Sequence, residues 1–197
     1  KRQAEDSQPS RLEHAKASIK TLVEQIREEG GHRIGLVAFA GRANLQCPLT
    51  LDYNFFLERL DEVNSETVPR KGSLIGDALR QTLQGFGTLE AAYTDIVLIS
   101  DGDDHGSFPL EAAKIVKAQD IKLYIVGVGD AGEGALIPIK NSTGEREFVQ
   151  YQDHDVRTRL RQSLLLELAR ITDGIYEPAG VGPCLLYTSD AADDETS

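Results

Sequence analysis

The sequence predicts an α/β domain in which helices cover both faces of a doubly wound, mostly parallel β-sheet. Predicted strands and amphipathic helices alternate along most of the 197 residues, a length that suits one ordinary domain. Two largely apolar segments, residues 96–99 and 122–128, predict buried strands. The first is apolar without a break, so we expect it to be buried on both faces, as in a parallel sheet.

The first element is a predicted helix over residues 11–29, where apolar residues recur at helical spacing. Ser10 is a favourable N-cap, and Glu13 stands three residues later, as in a capping box. The pair Gly30-Gly31 ends the pattern. Domains of this class usually begin with a strand, so a helix in first place is unusual.

A hairpin and a second helix follow. Residues 33–40 and 43–49 predict two strands joined by a tight turn at Gly41-Arg42. Cys47 lies in an apolar context there and is expected in the core. The next predicted helix covers residues 52–63, with four apolar side chains facing inward: Phe55, Phe56, Leu57 and Leu60.

Helices and strands continue to alternate in the middle of the chain. Residues 74–86 predict a helix, and Ser73 lies at or next to its N-cap. A strand over 95–100, a helix over 109–118 and a strand over 122–128 follow in that order.

The last third contains a long connection and two closing elements. Residues 129–151 include a predicted excursion hairpin around the turn 141–144. A helix over 160–171 and a short strand over 175–178 complete the domain, which we place at residues 1–180.

The remaining residues, 181–197, continue no pattern. They resemble translated sequencing-adapter read-through at the end of a gene fragment, and we interpret them as non-native. A genuine disordered acidic tail is the alternative.

Composition excludes several classes of function. The formal charge is −11, and the last eight residues contain four of the acidic side chains, which leaves −7 for the rest. No basic stripe is available to neutralise phosphates, so we expect no nucleic-acid partner. Two cysteines are too few for a disulfide framework or a structural zinc site. The sequence shows no apolar run long enough for a transmembrane helix and no signal peptide.

The segment TDIVLISDGDDHG, residues 94–106, concentrates the candidate chemistry. Asp101 stands where a buried strand ends, the position at which open α/β sheets place their ligands. Asp103 and Asp104 follow at once, and three neighbouring carboxylates repel one another unless a cation or hydrogen bonds offset their charge. Ser73 lies on an adjacent loop of such a sheet. A hydroxyl and a carboxylate together suit Mg²⁺, which prefers hard oxygen ligands.

Other patterns are weaker. Residues 127–132 match GxGxxG after a strand, but no helix begins at the third glycine, so we favour a turn over a nucleotide site. The loop mimics an EF-hand, yet Ala112 stands where a bidentate Glu is required. Asp101 and Asp103 also mimic the DxD of aspartate-nucleophile phosphatases. A phosphate-handling enzyme that uses Asp101 therefore stays open, but we expect no small-molecule substrate.

Six segments are informative together: PSRLEHAK, RIGLVAFAGRANLQCPLTLDY, GSLIGDAL, VLISDGDDHG, LYIVGVGDAGEGALIPI and LLLELARITDGIY. They resemble a von Willebrand factor A (VWA) domain, and in particular the bacterial aerotolerance (Bat-type) VWA proteins. The resemblance runs from about Pro9 to Ala179. The fold that this resemblance implies is the doubly wound, Rossmann-like sheet already expected from the pattern.

The resemblance also implies a metal-ion-dependent adhesion site (MIDAS) whose ligands come from three loops. Ser73 matches the family's threonine position and Asp101 its third-loop aspartate. The family's DxSxS motif and the central first strand before it have no counterpart, so we interpret the chain as an N-terminally truncated fragment. We therefore expect poor solubility and weak Mg²⁺ binding by the fragment, with Mg²⁺, Mn²⁺ or Ca²⁺ bound tightly only in the intact parent.

The function implied is a non-enzymatic module that binds a protein partner, which would supply a carboxylate to the metal. Transmembrane helices flanking the domain in the parent would place it at the bacterial cell membrane. A VWA scaffold that binds its partner without metal is the alternative.

Overall fold

A computed structural model describes residues 10–64, 73–86, 93–129 and 159–179, together with the backbone of six short strands between residues 135 and 158. The predicted tail, residues 181–197, lies outside them.

The first helix, α1, spans Arg11–Glu29, as predicted. The Ser10 hydroxyl oxygen accepts a hydrogen bond from the Glu13 N–H at 3.2 Å, and the Glu13 carboxylate accepts one from the Ser10 N–H at 2.5 Å. This reciprocal capping box fixes the start of α1. Gly30 ends the helix with a φ of 71°, a conformation that favours glycine.

The predicted hairpin is confirmed: β1, Ile34–Phe39, pairs antiparallel with β2, Ala43–Thr50. Helix α2, Tyr53–Glu62, then packs on both strands. A small core cluster joins α1, β2 and α2, and Cys47 lies in it with no exposed surface, as expected.

Helix α2 corrects one prediction. Phe56 and Leu60 are buried, but Phe55 is 38% exposed and faces outward. Phe55 and Phe56 are adjacent on the helix and so point about 100° apart, which allows only one of them to enter the core. The Arg59 guanidinium lies 5.5 Å from the Phe55 ring centroid and partly covers its outer face.

Three parallel strands form the main sheet: β3, Asp95–Ser100; β4, Lys122–Gly127; and β11, Ile175–Pro178. Their order is β11-β4-β3. Asp95 pairs with Lys122 and Ser100 with Gly127, so β3 and β4 end at the same edge. The parallel α/β fold predicted from the sequence is therefore confirmed.

Helices α3, Ile75–Gly85, α4, Pro109–Ala118, and α5, Gln162–Ile171, pack with this sheet around the larger core. Its most buried large side chains come from all three helices, from β4 and from the turn before it: Ile75, Leu79, Val116, Ile121, Leu123, Ile125, Leu165 and Leu168. Gly174 is needed before β11, because a Cβ there would lie 2.0 Å from the Leu123 carbonyl oxygen.

The burial of β3 differs from the prediction. Ile96 and Leu98 are buried, whereas Val97 between them is 41% exposed, so one face of β3 is open among the described residues. Within the same residues, β3 pairs only with β4 and β1 pairs only with β2. The hairpin and the main sheet are thus separate sheets in the described part of the chain.

The long connection contains short antiparallel pairs. Strand β6, Pro138–Lys140, pairs with β7, Arg146–Phe148, which confirms the excursion hairpin, although its turn lies outside the described residues. The other four strands also form pairs: β5 (Ala135–Leu136) with β10 (Arg157–Thr158), and β8 (Gln150–Tyr151) with β9 (His154–Asp155). None of the helices in the described part of the chain has the length and apolar character needed to span a bilayer.

Candidate metal centre

The candidate centre lies at the carboxyl ends of β3 and β4. Asp101 follows β3 directly, and Ser73 stands two residues before α3. The N–H of His105, in the loop between β3 and α4, donates to the Ser73 carbonyl oxygen at 3.0 Å. The structure thus joins the Asp101 loop to the Ser73 segment, the two segments that the sequence singles out.

Both carboxylate oxygens of Asp101 have partners within the chain. Oδ2 accepts from Nη1 of Arg11 at 2.7 Å, and Oδ1 accepts from the Asp103 N–H at 3.1 Å. The Arg11 and Asp101 side chains are only 26% and 18% exposed, so this pair is partly shielded from solvent. Arg11 carries no signal of this role in the sequence, because its partner lies 90 residues away and no local pattern links them.

A second arginine holds the same loop from the start of α5. The Arg161 N–H donates to the Asp101 carbonyl oxygen at 2.7 Å, and its guanidinium lies 2.9 Å from Oδ1 of Asp103. Gly102 permits this approach: its φ is 75°, and a Cβ there would lie 2.7 Å from the Arg161 carbonyl oxygen. The carboxylates of Asp101 and Asp103 are therefore each paired with a guanidinium.

Helix α3 is not capped by the side chain of its own N-cap residue. Leu74 is the N-cap residue and makes no side-chain capping bond, so Ser73 lies next to the N-cap, as the prediction allowed. Two side chains of the β3–α4 loop cap the helix instead. The Ile75 N–H donates to Oδ1 of Asp104 at 2.8 Å, and the Gly76 N–H donates to the Ser107 hydroxyl oxygen at 2.7 Å.

Asp104 is held ionised by this arrangement. Partial burial acts to raise the pKa of the Asp104 carboxyl, but hydrogen bonds from the Ser107 side chain and from the Ser107, Ile75 and Gly106 amides outweigh it and lower the pKa. Asp104 is thus a structural capping residue, a role that its place in an acidic triplet does not reveal.

The donor chemistry fits a hard divalent cation in part. Ser73 offers a hydroxyl and Asp101 a carboxylate, both oxygen ligands of the kind Mg²⁺ prefers. The described residues contain no group of three or more His, Cys, Asp or Glu side chains that could hold a metal ion. A cation held by Ser73 and Asp101 would therefore need waters or further side chains to complete its coordination shell.

Gly127, the first glycine of the GxGxxG match, has a packing role. A Cβ at this position would lie 2.6 Å from the Tyr176 hydroxyl oxygen on the neighbouring strand. The rest of the motif, residues 130–132, lies outside the described residues. Glycine at residue 127 therefore makes room for the end of the Tyr176 side chain.

A parallel sheet flanked by helices, with a serine and an aspartate at its carboxyl edge, defines a class of α/β binding domain. The chain belongs to the von Willebrand factor type A domain family, which matches residues 4–163. This confirms the family and the fold class expected from the sequence.

Two solved structures of Bat-type proteins are similar to this chain. One is the conserved hypothetical protein BatB from Bacteroides thetaiotaomicron, 32% identical, with a TM-score of 0.76 over 87% of this chain and 80% of that one. The other is an aerotolerance-related membrane protein from Bacteroides fragilis NCTC 9343, carrying multiple mutations to serine. It is 33% identical, with a TM-score of 0.77 over 88% of this chain and 83% of that one.

An uncharacterized protein of Borreliella burgdorferi is 29% identical over 174 residues. The match covers 87% of this chain but 48% of the relative, so the chain spans about half the length of the curated relative it matches.

Proposed function

We propose that this chain is the interaction domain of a bacterial membrane-associated VWA protein, and that it binds a protein partner through a divalent cation, Mg²⁺ or alternatively Mn²⁺ or Ca²⁺. Ser73 and Asp101 are the residues that would hold the cation. The supporting observation is the 3.0 Å hydrogen bond between the His105 N–H and the Ser73 carbonyl oxygen, which joins the two donor-bearing segments. Members of this family typically act as protein-interaction modules, which agrees with this assignment.

Asp101, Ser73 and Asp104 would have different roles in such a site. The Asp101 carboxylate supplies negative charge, and the Ser73 hydroxyl supplies a neutral oxygen. The bound cation would attract a carboxylate of the partner protein to its open coordination position. The network around Asp104 holds the start of α3, and therefore the Ser73 segment, against the loop of Asp101.

The family resemblance implies further donors from a DxSxS segment, which has no counterpart in the printed sequence. A strand leading into such a segment would lie between β1 and β3, each of which has one edge without a strand partner among the described residues. It would also lie beside the half-exposed face at Val97.

Metal titration tests the proposal directly. The full-length gene product is expressed as the parent protein, and its Mn²⁺ affinity is measured by calorimetry. Ser73→Ala and Asp101→Asn should each weaken Mn²⁺ binding by about tenfold or more, because each removes or neutralises an oxygen donor. Asp52→Asn is the matched control, since Asp52 caps α2 through the Phe55 N–H and contributes nothing to the proposed site. Equal Mn²⁺ affinity in the parent and both site variants would contradict the proposal.

A metal-independent scaffold is the second candidate, and the Arg11–Asp101 pair favours it. In this case the guanidinium supplies the positive charge next to Asp101, and the partner binds without a cation. The discriminating measurement is binding of partner proteins from membranes of the source bacterium with and without EDTA. Binding unchanged by EDTA but reduced by Arg11→Gln would favour the scaffold over the metal-dependent module.

A further inference from the structure

We propose that Asp104 and Ser107 are positioning residues that set the location of Ser73 relative to Asp101. The inference rests on the proposed function, since its purpose is to align the two donors of that site. It differs from the expectation for an acidic loop, in which Asp104 would face solvent or the cation. Asp104 instead directs its carboxylate at backbone and hydroxyl donors within the chain.

The contacts form a closed network. Oδ1 of Asp104 accepts from the Ile75 N–H at 2.8 Å and from the Ser107 hydroxyl. Oδ2 accepts from the Gly106 N–H at 3.1 Å and the Ser107 N–H at 2.9 Å. The Ser107 hydroxyl oxygen in turn accepts from the Gly76 N–H at 2.7 Å. Two of the orphan amides at the start of α3 are therefore satisfied by a loop that lies about 30 residues away.

The helix and the loop also fit closely. A Cβ at Gly76 would lie 2.1 Å from the Ser107 carbonyl oxygen, so only glycine allows this approach. One turn further on, the Arg80 guanidinium donates to the Ser107 carbonyl oxygen at 2.8 Å and to the Phe108 carbonyl oxygen at 3.3 Å. The loop is thus attached along the whole first turn of α3 and beyond it.

Ser73 accepts one of the hydrogen bonds from this loop and lies two residues before another. His105 binds the Ser73 carbonyl oxygen, and Asp104 binds the Ile75 amide two residues later. The Leu74 N–H between them donates to the Ala40 carbonyl oxygen at 3.1 Å, which fixes the same segment to the end of β1. Loss of the Asp104 bond would release one side of Ser73 while leaving Asp101 in place at the end of β3.

Two substitutions test the network. Asp104→Asn leaves one acceptor oxygen for a set of four donors, so the new amide group must face donors on one side. Ser107→Ala leaves the buried Gly76 N–H without its partner. We expect both variants to speed hydrogen exchange at the Ile75 and Gly76 amides by about tenfold or more. Mn²⁺ affinity should fall by about tenfold to a hundredfold, as for other residues that orient metal ligands.

The control separates positioning from general stability. Asp52→Asn removes a capping carboxylate from α2 by the same chemical change, beside Thr50 and the start of β1, at the hairpin end remote from Ala40. At a temperature where all variants are folded, Asp52→Asn should leave the Mn²⁺ dissociation constant unchanged, whereas Asp104→Asn should raise it. An Asp104→Asn dissociation constant within twofold of the parent value would overturn the positioning role.

The two readouts distinguish this inference from the proposed function. Should the parent protein bind no Mn²⁺, the metal-dependent function fails, and amide exchange alone decides the role of Asp104 and Ser107. Faster exchange confined to the first turn of α3 would then support the positioning role. Unchanged exchange at Ile75 and Gly76 would overturn it.

Discussion

Replacing Arg11 by glutamine should strengthen metal binding and weaken the metal-free fold. In the structure, Nη1 of Arg11 lies 2.7 Å from Oδ2 of Asp101, on the carboxylate proposed to hold the cation. A cation that binds this oxygen must displace the guanidinium or share the carboxylate with it. The variant removes this competition and leaves the donor oxygens of Ser73 and Asp101 intact.

The magnitude follows from the geometry. At 2.7 Å and an effective dielectric constant of about 20, the gross attraction is about 6 kcal/mol. Desolvation and side-chain ordering offset most of it. A partly exposed, charge-assisted hydrogen bond therefore stabilises the fold by about 1–2 kcal/mol. Because about 1.4 kcal/mol corresponds to a factor of ten, the Mn²⁺ dissociation constant should fall by about five- to thirtyfold.

Two measurements on each protein check this reasoning. Calorimetric titration with Mn²⁺ gives the affinity, and thermal unfolding in EDTA should show the midpoint of Arg11→Gln lowered by about 2–8 °C. Arg27→Gln is the matched control: it removes the same charge from α1, but Arg27 pairs with Glu24 and Asn54 instead of Asp101. Unchanged or weaker Mn²⁺ binding by Arg11→Gln would refute competition for Asp101. An equal increase in the Mn²⁺ affinity of Arg27→Gln would show that the effect comes from net charge alone.

Three further predictions concern stability and are checked by thermal or denaturant unfolding. Gly76→Ala should destabilise the fold by about 3 kcal/mol, because the added Cβ would lie 2.1 Å from the Ser107 carbonyl oxygen. Gly85→Ala on the same helix should be neutral or stabilising, because the nearest atom to its Cβ, in the Gln81 side chain, would be 3.7 Å away. Phe56→Ala should cost about 3–5 kcal/mol and Phe55→Ala less than about 1 kcal/mol, since only Phe56 is buried. The lowered pKa of Asp104 means that its ionised carboxylate stabilises the fold at pH values above its ordinary pKa of 3.8. This contribution is lost as the pH falls through the lower pKa of the folded state. The difference in stability between the parent protein and Asp104→Asn should therefore disappear in acid.

Elements encoded by local patterns were predictable from the sequence. The capping box of α1 needs only Ser10 and Glu13, and the β1–β2 hairpin needs two apolar runs around a short turn. The parallel sheet follows from buried strands alternating with helices. In each case the stabilising partner lies within a few residues or is any apolar surface, so the local sequence contains the necessary information.

Features that depend on distant neighbours were not predictable in the same way. The apolar run of β3 does not reveal that the face of Val97 is open among the described residues, because burial depends on what packs there. The apolar pattern of α2 does not show which of the adjacent Phe55 and Phe56 enters the core, because that depends on the elements packed against the helix. The role of Asp104 needs the first turn of α3, which lies 29 residues away.

The candidate site shows the same division between local and distant information. Ser73 and Asp101 are candidates from the sequence because each lies at a recognisable boundary of a predicted element, Ser73 before a helix and Asp101 after a strand. Arg11 and Arg161 could not, since they reach the loop from the starts of two other helices. Their presence changes the electrostatic argument. Three adjacent carboxylates alone would demand a cation, but two guanidiniums and a set of amide donors already balance them.

This balance links the two candidate functions. The charges of this loop are already compensated, so a metal-dependent module would bind the cation more tightly when Arg11 moves away from Asp101. A metal-independent scaffold must keep the Arg11–Asp101 pair. The two candidate functions therefore predict opposite effects of losing Arg11. The loss should favour cation binding by a metal-dependent module, but it should impair partner binding by a metal-independent scaffold. Measuring both properties of Arg11→Gln distinguishes the two functions even before the partner is known in molecular detail.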